Sequence, residues 1–184
     1  MTDREAVLET ERLWLEPLRA SHAAEMFDLL SDDLLYRYVP RDPPPSLSAL
    51  ASRFRRLETR TSSDGEESWL NWIARGKASR ECVGRVEVTI RRDASAYLAY
   101  EIAVASWGKG LATEACRRVI QALLSDYGVT KIVAEVDTRN VASIRLLERL
   151  GFRRGALREH ADFFKGSNSD EYTYTLARES GAGA

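Results

Sequence analysis

The chain has 184 residues, 44% hydrophobic and 30% charged, which is the mixture of a folded globular protein and enough for one full core but not for two ordinary domains. Twenty-seven Lys and Arg stand against 28 Asp and Glu, a formal net charge of −1, without the basic excess of a nucleic-acid binder. No apolar run approaches the ~18 residues of a membrane span, and the charged opening MTDREAVLETER contains no signal-peptide core. The two cysteines, Cys82 and Cys116, and the two histidines, His22 and His160, have neither metal-ligand nor disulfide-framework spacing. The expectation is a cytoplasmic protein, with no metal, nucleic acid or membrane among its partners.

Arg12-Leu13-Trp14-Leu15-Glu16-Pro17-Leu18 alternates roughly apolar and polar and predicts a first strand that stops near Pro17. Ser21 stands where it can cap a helix carrying Ala24, Phe27, Leu29 and Leu30. Asp42-Pro43-Pro44-Pro45 cannot be helical and marks a loop. A polar helix over 47–59 and a flexible break over 61–67 follow. Segments 69–74, 82–90 and 97–104 read as three strands. From Gly110 the period changes: Leu111, Ala112, Ala115, Cys116, Val119, Ile120, Leu123 and Leu124 form one helical stripe, which Gly128 ends. Residues 131–137 are a strand, 140–150 a second amphipathic helix closed by Gly151, and 152–159 and 171–176 the last strands. This order predicts an α/β (α+β) fold on a largely antiparallel sheet with a few crossover helices.

The segment Ser106-Trp107-Gly108-Lys109-Gly110-Leu111-Ala112-Thr113 puts two glycines where a strand becomes a helix. Small residues there let the first helical N–H groups face outward, at the positive end of the helix dipole. Such a mouth suits a phosphate or diphosphate, and Lys109 adds a positive charge beside it. The spacing is not that of a P-loop, and the dinucleotide fingerprint would need glycine at Thr113. A tight turn that merely requires glycine conformations is the plain alternative. In the second informative segment, Asn140 stands at a helix start and Ser143 one turn in; a simple N-cap and a solvent-facing serine would explain both.

Taken together, the two segments resemble the GNAT superfamily of N-acetyltransferases. Trp107-Gly108-Lys109-Gly110-Leu111-Ala112-Thr113-Glu114-Ala115 is similar to its acetyl-CoA diphosphate loop. Asn140-Val141-Ala142-Ser143, followed by Leu147 and Leu150-Gly151-Phe152, is similar to its Asn-x-x-Ser … Leu-Gly-Phe signature. Glu9-Thr10-Glu11-Arg12-Leu13 and the closing Asp170, Tyr174, Leu176 and Glu179 resemble the ribosomal-protein-alanine acetyltransferase branch. The likeness spans residues 9–179 and implies one acetyltransferase domain over 1–184. Two departures stand out. Trp107 replaces a frequent Gln or Arg, and only Ala105 and Ser106 link the strand to Trp107.

The resemblance implies about six or seven strands with about four flanking helices, and central strands that splay to admit the pantetheine arm of acetyl-CoA. The backbone of Ile102, Ala103 and Val104 would meet that arm, and an N–H at Ala103 or Val104 would hold the developing oxyanion. Trp107, Gly108, Lys109, Gly110, Leu111, Ala112 and Thr113 would surround the diphosphate. Asn140, Ser143 and Leu147 would line the thiol end. A protonated amine must lose a proton before it attacks, so a carboxylate is the natural base: Glu101, or Glu87 on the preceding strand. Ser143, or a tyrosine such as Tyr172 or Tyr174, would meet the leaving thiolate, and Cys116 falls on the core stripe. Transfer would then be direct, to a protein N-terminus or to a small-molecule amine.

Tyr36, Tyr38, Trp72, His160 and Glu87 are the acceptor-side candidates, each also readable as packing or surface. The acidic stretch 61–67 reads as a solvated loop. The family resemblance allows a homodimer, and a non-catalytic acyl-CoA-binding module is the rival reading.

Overall fold

The computed structural model describes residues 6–178; Glu179 of the closing motif and residues 1–5 lie outside that range. The chain runs β1 (Leu8–Glu9), β2 (Leu13–Pro17), α1 (Ala23–Leu30), α2 (Leu47–Glu58), β3 (Glu67–Gly76), β4 (Cys82–Arg91) and β5 (Ser95–Ile102). It continues through α3 (Leu111–Ser125), β6 (Lys131–Asp137), α4 (Val141–Arg149), β7 (Arg153–Phe164) and β8 (Ser167–Ala177). The strands form one sheet in the order β1-β2-β3-β4-β5-β6-β8-β7, and β5 with β6 is the single parallel pair among the described residues. The mixed, mostly antiparallel α+β architecture is the expected one, with β1 as a short additional edge strand.

The sheet is buried on both faces. Leu70, Trp72, Ala74, Val86, Val88 and Leu98 pack with the Val119, Ile120 and Leu123 stripe of α3. Ile73 turns the other way, toward Met26 and Leu30 of α1 and Leu50 and Phe54 of α2. This is why β3 reads as a nearly continuous apolar run over Leu70–Ala74 rather than a clean alternation.

Four local expectations change. Ser21 is not a cap: it lies in a 3-10 turn over Ala20–His22, and α1 begins without a side-chain cap, burying Ala23, Met26 and Leu30. The third central strand stops at Ile102, and Val104 belongs to a one-turn 3-10 segment, Val104–Ser106. The supposed flexible break at 61–67 is a tied turn, in which Ser62 N–H donates to Glu67 C=O at 3.0 Å and Asp64 accepts from Ser62 Oγ and Glu66 N–H. Finally, β7 and β8 extend to a long hairpin over 153–177, well beyond the two short strands expected.

The opening Thr10-x-Arg12 motif gains a physical reason. Thr10 Oγ1 and Arg12 N–H both donate to Glu114 of α3, at 2.5 and 2.8 Å, and Arg12 Nη1 donates to Lys109 C=O at 2.9 Å. The β1–β2 turn therefore clamps the glycine segment and the first turn of α3 to the sheet.

Gly84 sets where β5 ends. It faces Ile102 across the ladder, and a Cβ there would lie 2.3 Å from Glu101 C=O and 2.6 Å from Ile102 Cδ1. Gly84→Ala is therefore expected to destabilise the fold by about 3 kcal/mol, through forced separation of β4 from β5. Urea denaturation checks this; an unchanged midpoint would show that the approach relaxes freely.

Candidate functional site

The parallel pair β5–β6 is joined only at Ser95–Lys131, Ala96–Ile132 and Tyr97–Val133, although β5 runs on to Ile102 and β6 to Asp137. Beyond Tyr97 the two strands part and leave a wedge. Ala103 N–H donates to Val83 C=O on β4 at 2.9 Å. By strand alternation, the main-chain groups of Tyr100 and Ile102 then face away from β4, into the wedge. Ile102 C=O is already taken by Trp107 Nε1 at 2.7 Å. Of the two amides expected to hold the oxyanion, Ala103 N–H is thus engaged on β4, and by the alternation those of Tyr100 and Ile102 turn to the opening.

A cavity of about 550 Å³ opens at the wedge on the α3–α4 side. Gly110, in the left-handed region at φ +77°, is the N-cap of α3 and makes no side-chain capping bond. The first amide of α3 with an intrahelical partner is Glu114 N–H, to Gly110 C=O at 3.1 Å, so the amides of Leu111, Ala112 and Thr113 point out of the helix start. Gly108, at φ +71°, has nothing within 4 Å of where its Cβ would be. Bare backbone at a helix N-terminus is a good receptor for a diphosphate.

Trp107, Gly108, Gly110, Leu111, Ala112 and Thr113 line this cavity, as do Ile102, Asn140, Ser143 and Glu101. Ala103, Val104, Lys109 and Leu147 do not. Leu147 is 1% exposed and belongs to the core, while Leu146 and Ala142 take its place on the lining. Asn140 is an N-cap, its Oδ1 accepting from Ser143 N–H at 3.2 Å. That bond sets the first turn of α4 and leaves the Ser143 hydroxyl beside the opening. Sequence reasoning placed the positive charge at Lys109, whereas Arg145 and Arg149 line the cavity. Their spacing of four on an amphipathic helix was the available signal.

A second cavity, of about 510 Å³, lies on the α2 side of the same wedge, and its lining includes Glu87, Arg53, Trp69, Asn71, Tyr97 and Glu135. Of the acceptor-side residues, Glu87 lies here and Tyr38 lines the first cavity. Trp72 does not reach either: it is buried against α3's core and meets Tyr127 edge-on at 6.5 Å. Trp69, three residues earlier and so on the other face of the strand, is the tryptophan that lines the cavity. Tyr36 is also packing, its Oη donating to Leu30 C=O at 2.7 Å, and burial raises its pKa. His160 lies outside both cavities, with its N–H donating to Asp170 at 2.9 Å.

The carboxylates are embedded in arginines. Arg85, 0% exposed, meets Glu101 Oε2 through Nε at 2.6 Å and Glu87 Oε1 through Nη1 at 2.9 Å. Arg41 from the proline loop reaches the other Glu101 oxygen, and Arg53 of α2 holds Glu87 at 3.1 Å. Burial alone would raise the Glu87 pKa, yet Arg85, Arg53 and Arg41 together hold it below the ordinary carboxylate value. Burial also lowers Arg85 to about 10, with Glu87 opposing the shift. Cys116 is fully buried and its thiol is pushed up by desolvation, which excludes it as a nucleophile. Tyr174 donates to Glu148 at 3.0 Å and Tyr172 packs edge-on against Tyr174; neither lines a cavity.

The profile of the acetyltransferase (GNAT) domain matches residues 12–153. The chain belongs to the GNAT family. This GNAT acetyltransferase is similar to the uncharacterized N-acetyltransferase YoaA of Bacillus subtilis (strain 168), at 26% identity over 94% of this chain and 97% of that protein. Its fold matches that of ribosomal-protein-S5-alanine acetyltransferase from Vibrio fischeri, with a TM-score of 0.82 and 16% identity over 95% of this chain and 98% of that one. It also matches spermidine N-acetyltransferase from Vibrio cholerae in complex with CoA and spermine, with a TM-score of 0.79 and 20% identity over 91% and 96%. Membership makes the chain an N-acetyltransferase that moves acetyl from acetyl-CoA to an amine. No helix among the described residues is long and apolar enough to cross a membrane.

The depressed carboxylates of the GNAT domain imply an acid limb in its stability. Glu87, Asp137 and Glu114 are all held below their ordinary values: burial opposes the shift in each, while Arg85, Arg139 and Ser169, and Thr10 and Arg12 respectively outweigh it. Groups with lowered folded-state pKa contribute stability above the unfolded value and lose it as pH falls through the folded one. Stability should hold down to about pH 5 and decline below about pH 4, and Asp137→Asn should flatten that decline. Thermal melts across pH 3–7 measure it.

Proposed function

We propose that acetyl-CoA lies in the α3–α4 cavity, that the amine enters through the opposite cavity, and that the two meet in the wedge between β5 and β6. The observation that carries this reading is the placement of two cavities at one opening between β5 and β6, the first lined by a bare helix N-terminus and the second by Glu87. The amides of Leu111, Ala112 and Thr113 and the Arg145 and Arg149 guanidiniums would hold the phosphates. The wedge-facing amides of Tyr100 and Ile102 would bind the pantetheine arm, and one of them would meet negative charge developing on the carbonyl oxygen. Ser143 would donate to the departing sulfur.

Of the two carboxylates, Glu87 is the one that faces the acceptor. Both Glu101 oxygens are occupied by guanidiniums, so Glu101 is assigned to holding Arg85 and Arg41 in place. Glu87 would accept a hydrogen bond from the amine and orient it, and its lowered pKa makes it a poor store for the proton, which passes to water in the open acceptor cavity. Glu87→Gln should lower kcat about a hundredfold with acetyl-CoA affinity unchanged. Glu101→Gln should instead lower the melting temperature, because it leaves the buried Arg85 short of a counter-charge. The reverse pattern would return the orienting role to Glu101.

The acceptor is an amine, and the names of the matched structures span a ribosomal-protein alanine and a polyamine. Thiol release from acetyl-CoA over a panel of amines and N-terminal peptides tests the activity; tight binding with no amine acetylated would favour an acyl-CoA-binding module. In the same series, Gly110→Asp should abolish acetyl-CoA binding in calorimetry while leaving the circular dichroism spectrum native. It sets a carboxylate at the phosphate mouth and strains a left-handed position. Retained affinity would move the phosphates elsewhere.

A further inference from the structure

The Tyr100 hydroxyl is a buried polar group with no hydrogen-bond partner. Tyr100 lies on β5, one residue before Glu101, and its side chain packs on the core beside Cys116 while lining the α3–α4 cavity. Ser143, which also lines that cavity, is its hydrogen-bonding neighbour, although the pair falls short of a formed bond in this arrangement. Ser143 donates its main-chain N–H to Asn140, but its hydroxyl makes no hydrogen bond among the described residues. Two unused hydroxyls thus stand together where the thiol end of the donor would lie, one sealed in the core and the other at the surface of the opening.

Buried donors are rarely left unmet, and the neighbourhood of Tyr100 decides which way this pair points. A phenol is the stronger acid and better donor, and an aliphatic hydroxyl the better acceptor. Desolvation holds the Tyr100 pKa well above its ordinary value, so the phenol keeps its proton throughout the working range. If Tyr100 donates to Ser143 Oγ, the serine's own proton has only the cavity left to point into.

We propose that Tyr100 is a positioning residue for the leaving group: its Oη–H donates to Ser143 Oγ and so turns the Ser143 O–H toward the thioester sulfur. This rests on the placement of Ser143 proposed above. As the amine nitrogen bonds to the carbonyl carbon, the C–S bond breaks and the sulfur keeps the electron pair. Ser143 meets that charge with its hydrogen bond, while the proton released by the amine reaches the sulfur through water. Neither hydroxyl gives up its proton. Tyr172 and Tyr174 are excluded from this role by their packing away from the cavity, and no sequence motif marked Tyr100, because its partner lies 43 positions along the chain (143 − 100).

The test is a double-mutant cycle in acetyl transfer. Tyr100→Phe keeps the ring and removes only Oη. It should lower kcat about tenfold, the worth of one well-placed hydrogen bond, with KM and binding affinity for acetyl-CoA within twofold and the melting temperature not lowered. Ser143→Ala should lower kcat at least as much, and the double variant no further than Ser143→Ala alone. Wild-type kcat in Tyr100→Phe would overturn the proposal. So would a defect that adds fully to that of Ser143→Ala, or one expressed in acetyl-CoA KM rather than kcat. A Ser143→Ala enzyme with unchanged kcat would instead remove Ser143 from the site, separately from whether the protein acetylates amines at all.

Discussion

The parting of β5 from β6 is the constraint on which the rest of the structure depends. Three residue pairs join the strands at Ser95–Tyr97, and everything beyond is held open. Unpaired strand backbone is normally a liability that folds cover or twist away. Here two cavities reach the opening, one past the starts of α3 and α4 and the other past Trp69 and Glu87. An extended thioester arm and an incoming amine would each find unfilled main-chain groups there, without any side chain having to move aside. The parallel pairing matters, because it brings the end of β5 and the start of α3 to the same edge of the wedge, so that one opening serves both the phosphates and the thioester.

Several features act together to keep the wedge open. Trp107 Nε1 occupies the Ile102 carbonyl and Ala103 N–H is tied to Val83, which ends β5 sharply. Thr10 and Arg12 anchor Glu114 and Lys109, so the glycine segment is pinned from the far edge of the sheet. Glycine supplies the left-handed turn at 110 that no other residue adopts cheaply. The same bareness that permits the turn leaves the amides of Leu111–Thr113 exposed to a ligand.

The arginine–glutamate network is the electrostatic counterpart of this geometry. A fully buried Arg85 between two carboxylates ties β4 to β5, and Arg41 and Arg53 extend the network to the proline loop and α2. A buried ion pair contributes little net stability relative to apolar packing, but it resists the removal of either partner. Its effect here is to hold Glu101 between Arg85 and Arg41 at the α3–α4 cavity, while Glu87, held by Arg85 and Arg53, lines the second one. Lys165, at the tip of the β7–β8 hairpin, donates to the carbonyls of Tyr36, Val39 and Arg41. The long hairpin thereby fastens the loop that carries Arg41 over the acceptor side.

Patterns local to a few residues were legible in the linear chain: the helical stripe from Leu111, the glycines before it, the Asn140 cap and the alternation of the strands. They depend on backbone propensity and on periodicity, which a short window contains. Even the clamp of Thr10 and Arg12 on Glu114 left a trace, as a motif without a visible purpose. What depended on separation through space was not legible. Trp69 and Trp72 look alike in sequence, and only the pleat and the helices on each face decide that one lines a cavity and the other fills the core. Glu101 reads as the base and Glu87 as its alternative until Arg85, Arg41 and Arg53 are brought against them from other elements. Tyr100 and Ser143 are unrelated in the chain and become neighbours because α4, packed on α3 and β6, brings its first turn to the cavity that β5 lines. Local chemistry is written residue by residue, whereas the company each side chain keeps is settled only when the sheet closes and the helices dock.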